Sequence, residues 1–231
     1  RPCQLAVLDC CKRRIRFSVR QQRAQMGHRI VRSLHPARPR GVVQFHSVAV
    51  NASAVIRIAI TGVESTGKTT LTEALSARLG GVAVRECARY NAEVIAGKAT
   101  LATLEQLADA QAEACEVAVH QAGATGAACV VSDTDALMLR LWGEHAFDRA
   151  PAGLERLEAW PDLTLLCAPT IPWEVDPLRS MPRLEDRLAL HAAYAEAVAV
   201  LPAHAIIDST AHEKRLDQAV RAFQNYVVNR G

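Results

Sequence analysis

The chain has 231 residues, of which 50% are hydrophobic and only 4% aromatic, with a net charge of +3; that is enough for one domain with a sizeable core plus an appendage. No uninterrupted apolar run approaches the ~18 residues a membrane-spanning helix needs, which excludes a helical membrane protein. The seven cysteines (Cys3, Cys10, Cys11, Cys87, Cys115, Cys129 and Cys167) are odd in number and scattered, which sets aside a disulfide framework or a zinc cluster and fits reduced thiols in a cytoplasmic protein.

The small net charge hides an asymmetry. Residues 1–54 carry eleven Lys/Arg and a single acid, Asp9, a net +10, whereas the remainder carries −7. This segment has no sustained period of 2 or 3.6, and a basic tract without a fold motif is weak support for a nucleic-acid partner. It is expected to be a disordered or non-native extension, outside the folded domain of residues 55–231.

From Val55 onward, strand and helix patterns alternate. The β-branched run Val55–Ile60 predicts a strand, and "KTTLTEALSARL" after it has apolar residues at helical spacing. Next come a short strand within Gly80–Glu86, a long alanine-rich helix over about 103–121 that is broken by "GATG", and a strand "AACVVSD" running into Asp133. A helix from "ALMLRLW", a buried strand "LTLLCAP", a helix "RLEDRLALHAAYAEAVAVL", a strand "AHAIID" and a closing helix "HEKRLDQAVRAFQNYV" complete the chain. Such alternation predicts an α/β fold, a parallel sheet with helices on both faces, whose ligands gather at the carboxyl ends of the strands.

Between the first strand and helix lies "GVESTGKTTL", in the frame G-x-x-x-x-G-K-[ST]. Gly62, Glu64, Ser65, Thr66, Gly67, Lys68, Thr69 and Thr70 are the expected nucleotide-phosphate cradle, with Lys68 reaching the outer phosphates and the Thr69 hydroxyl on Mg²⁺. The other strand ends carry Glu86 and Arg89, then Asp133 and Asp135, then "PTIPWEVDPLR". Asp133 suits a Mg²⁺ ligand or a helix cap, and "DTD" lets one carboxylate cap while the other works. Glu86 suits a general base, or an ion pair with Arg85 or Arg89. Arg179 suits a phosphate clamp, whereas Arg187, beside Glu185 and Asp186, reads as part of a solvated helix start.

With these pieces assembled, the chain resembles the ribosylnicotinamide kinase domain of the NadR-type proteins, a P-loop kinase family, over about Ile56 to Phe223. The resemblance is carried by "GVESTGKTTL", "RECAR", "SDTDALMLRLWGE" and "IPWEVDPLR". Cys87, Thr170 and Asp208 depart from the family pattern. The resemblance implies transfer of the ATP γ-phosphate to the 5′-hydroxyl of nicotinamide riboside, with ATP and Mg²⁺ as cofactors and a small-molecule nucleoside as the partner. An aromatic would stack on the nicotinamide ring, from Tyr90, Trp142 or Trp173, and Asp135 or Asp176 would take the ribose hydroxyls, with Arg89 beside them. Another nucleoside or nucleotide as acceptor, or a nucleotide-switched regulatory protein, are the alternatives, and the oligomeric state stays open.

Overall fold

The structure is a computed structural model that describes residues 55–176 and 179–230, so the basic segment 1–54 and the expectation placed on it lie outside the described residues. Five strands, β1 (Ile56–Thr61), β2 (Val82–Val84), β3 (Cys129–Ser132), β4 (Leu163–Cys167) and β5 (His204–Ile207), form one sheet in the order β2-β3-β1-β4-β5. Every pairing is parallel. The long helices are α1 (Lys68–Leu79), α3 (Leu101–Thr125), α4 (Ala136–Phe147), α6 (Leu184–Val198) and α7 (His212–Arg230). Short helices α2 (Ala92–Ile95) and α5 (Glu155–Glu158) and a 3-10 turn at Cys87–Tyr90 complete the elements.

Alternation along the strands decides which helix covers which face. Ile56, Ile58 and Ile60 of β1, with Cys129, Val131, Leu163 and Leu165, pack against Leu71 and Leu75 of α1 and Ala219 of α7. From the opposite face Ala59, Val130 and Val84 meet Cys115, Ala118 and Ala122 of α3, where small side chains let the helix lie close. On the same side Leu166 meets Tyr194 and Val198 of α6. Helices therefore cover both faces, the three-layer arrangement of a P-loop kinase-like fold. None of the described helices is long and apolar enough to cross a membrane.

Two boundaries differ from the sequence reading. The second strand is only three residues long, since Gly80 in the left-handed region ends α1 and Glu86 already flanks the 3-10 turn. The alanine-rich helix runs to Thr125, because Gly123 stays helical and only Gly126, at φ 72°, terminates it; a helix tolerates one interior glycine for about 1 kcal/mol.

Candidate active site

The loop from Thr61 to Lys68 is shaped by two glycines. Gly62 has φ 133°, and a Cβ there would lie 2.6 Å from the Cys167 carbonyl oxygen at the end of β4; only glycine lets the loop pass so close to β4. Gly67, at φ 73°, flanks α1 without any side-chain cap, whereas Thr100 caps α3 and Asp135 caps α4. The first N–H groups of α1 are thus left facing the loop, an arrangement that suits an anion.

Lys68 Nζ donates to the carbonyls of Gly62 (2.9 Å) and Val63 (3.0 Å), curled over the loop it belongs to. Thr69 Oγ1 donates to Asp133 Oδ2 at 2.6 Å. Asp133 is 1% exposed and its Oδ1 has no partner among the described residues. Burial pushes its carboxyl up to about 6, against the Thr69 hydrogen bond and the Lys68 charge, which pull it down. A buried carboxylate with one free oxygen beside a hydroxyl is the donor set a hard cation such as Mg²⁺ takes, so Thr69 and Asp133 fit that ion.

The two aspartates of "DTD" divide the tasks. Asp135 Oδ1 accepts from Met138 N (2.9 Å) and from Thr61 Oγ1 (2.8 Å), capping α4 and tying it to β1; burial raises its pKa. The structure therefore places Asp135 in the scaffold, away from the ribose-binding task expected of it. Trp142 likewise packs in the apolar cluster of α3, α4 and α5 with Leu139, Leu154 and Leu157.

Glu86, at the end of β2, pairs with Arg89 Nε at 3.2 Å, a separation without the alignment of a hydrogen bond. Arg89 Nη1 reaches Asp176 Oδ2 at 3.3 Å, joining the strand-two turn to the segment after β4. Burial opposes the charge on Arg89, and Glu86, Asp176 and Asp133 outweigh it, so its pKa stands above the ordinary value. Arg85 turns outward to Glu73 and the 65%-exposed Tyr90.

The segment after β4 rests on the phosphate loop through side chains the sequence had placed in the cradle. Glu64 accepts from Trp173 Nε1 (3.0 Å), Ser180 N (2.8 Å) and Met181 N (2.6 Å). Arg179 Nη1 donates to Glu174 O (2.7 Å) and to Ser65 Oγ (3.3 Å), which ties the segment after β4 to the loop. Thr66 Oγ1 closes the loop on Val63 O at 2.8 Å, and Thr70 is exposed in the first turn of α1 beyond it.

One expected surface residue is buried, and two further buried polar residues were not singled out in the sequence. Arg187 is 4% exposed, not solvated, and its Nε and Nη1 have no partner among the described residues. Arg215 of α7, 2% exposed, donates to Thr66 O (2.6 Å), Ser209 O (3.0 Å) and Thr170 Oγ1 (3.1 Å), so it fastens the phosphate loop to the ends of β4 and β5. Its spacing to Ala219, a buried i+4 neighbour on the same helical face, was the available signal. Gln111 of α3, 1% exposed, sits four residues from Leu107 and from Cys115 on the buried stripe of the helix, which was its signal.

A family model described as an AAA domain matches residues 57–215. The chain belongs to the AAA domain family. Crystal structures of NadR protein in complex with NR, and in complex with NAD and AMP-PNP, share the fold of this AAA domain, each with a TM-score of 0.55 and 22% identity over 74% of the chain. The chain spans 50% and 49% of the length of those two NadR chains. No curated protein matches it.

Proposed function

We propose that this AAA domain is a phosphotransferase that moves the γ-phosphate of ATP to the 5′-hydroxyl of nicotinamide riboside. The observation that carries the reading is the convergence, at one edge of a parallel sheet, of an uncapped helix start with Lys68, the Thr69–Asp133 pair and the carboxylate of Glu86. Lys68 would exchange its two loop carbonyls for the outer phosphates. Mg²⁺ held by Thr69 and Asp133 would neutralise phosphate charge as it shifts during transfer. Glu86 would accept the proton of the attacking hydroxyl, and Arg89 orients it from one side.

Arg179 and the buried Arg187, whose Nε and Nη1 have no partner among the described residues, are candidates to stabilise the transferring group, a chiefly electrostatic task. Asp176 and Trp173 would contact the nucleoside, Asp176 the ribose hydroxyls and Trp173 the ring. The fold likeness to the NadR chain bound to NR supports this acceptor. A second reading, a kinase for another nucleoside or nucleotide, is favoured by one observation: Asp135, one of the two carboxylates expected to take the ribose hydroxyls, caps a helix instead. Incubating the protein with γ-labelled ATP, Mg²⁺ and a nucleoside panel tests both. Label on nicotinamide riboside supports the proposal, label on a different acceptor supports the second reading, and release of phosphate alone refutes both.

A further inference from the structure

Glu86 and Asp133 follow separate strands, and one buried side chain on α3 bonds to the backbone around Glu86 and to the Ser132 hydroxyl beside Asp133. Gln111 Oε1 accepts from Cys87 N at 2.9 Å, and its Nε2 donates to Arg85 O at 3.3 Å, so the amide holds the peptide groups on either side of Glu86. The same Nε2 donates to Ser132 Oγ at 3.2 Å, and that hydroxyl donates to Thr134 O at 2.9 Å, a side-chain link to the segment that carries Asp133. Asp133 N in turn donates to Val84 O at 2.9 Å. The amide orientation is determined by its partners, since Cys87 N can only donate and Arg85 O can only accept.

Gln111 is 1% exposed and Ser132 is 0% exposed, so water does not compete for these bonds. Glu86 lies two residues beyond a three-residue strand, and its own carbonyl accepts from Arg89 N at 3.3 Å; without the amide, the peptide groups on either side of it lose their side-chain partner. We infer that Gln111 is a positioning residue that acts through Glu86 by holding the backbone on both sides of it. This rests on the reading of Glu86 as general base. An error of about 1 Å in the place of a base costs on the order of 10²-fold in rate, whereas the phosphate loop, which Gln111 does not touch, keeps its nucleotide.

The test is a cycle of Gln111→Met, Glu86→Gln and the double variant, with kcat, the Kd for AMP-PNP and the melting temperature measured for each. Gln111→Met keeps the length and volume of the side chain while removing all three bonds; Gln111→Glu, which keeps an acceptor for Cys87 N, replaces it should Met fail to fold. The expected result is a loss of roughly 10-fold to 10²-fold in kcat for Gln111→Met, an AMP-PNP Kd within about 2-fold of the native value, and no further loss when it is added to Glu86→Gln. A kcat near native, or losses that multiply in the double variant, overturns the positioning role and leaves Glu86 as base. A Glu86→Gln variant with native kcat overturns the base reading itself, and the inference with it.

Discussion

Replacing Arg215 by Met tests how the phosphate loop is held from beneath. Met retains the apolar stem of the side chain and deletes a guanidinium that is 2% exposed and donates to three neutral oxygens. Ser209 O keeps a donor in the Thr170 hydroxyl at 3.2 Å, and Thr170 is itself exposed to water. The full penalty therefore falls on Thr66 O, which loses its 2.6 Å partner. An orphaned buried acceptor costs about 1–3 kcal/mol and each lost bond to a charged donor adds on the order of 1 kcal/mol, while release of a buried charge returns part of that. The net expectation is a destabilisation of about 2 kcal/mol, or roughly 4–8 °C in Tm for a domain of this size. Because Thr66 precedes Gly67 in the loop, AMP-PNP should also bind at least about 10-fold more weakly, equivalent to about 1.4 kcal/mol. Differential scanning calorimetry and titration calorimetry with AMP-PNP measure both. A Tm within about 1 °C of native together with an unchanged Kd would refute the view that Arg215 anchors the loop.

Lys68→Ala should abolish label transfer from ATP while the melting temperature stays near native, since its two loop carbonyl bonds are partly solvent-exposed; native turnover would remove the loop from the mechanism. For Glu86→Gln, kcat should fall by roughly 10²-fold or more with a smaller change in the KM for ATP. Steady-state kinetics that show equal changes in both would point to an ion-pair role with Arg89 instead. Arg187→Gln should lower kcat by roughly 10-fold to 10³-fold and leave or raise the melting temperature, because it removes a buried charge whose Nε and Nη1 have no partner among the described residues. A fall in Tm with native kcat would assign Arg187 to packing.

Periodicity and one motif were sufficient for the layers of this fold. The β-branched run ending in Thr61, the "GVESTGKT" frame and the apolar stripe of α1 are local patterns, and local patterns dictate a strand, a glycine-rich turn and a helix in that order. The carboxylates at strand ends were equally legible, because a parallel sheet brings every strand's carboxyl end to one edge. Burial and long-range pairing were not. Arg187 sits beside two acids in the chain and reads as solvated, yet packing of α6 leaves it 4% exposed. The division between Asp133 and Asp135 depended on Thr61, a residue 74 positions from its partner Asp135. Arg215 and Gln111 reach their partners across 149 and 24 positions. A hydrogen bond between residues so far apart leaves no periodic trace in the sequence, since its geometry exists only once the sheet has assembled and brought the two backbones within about 3 Å.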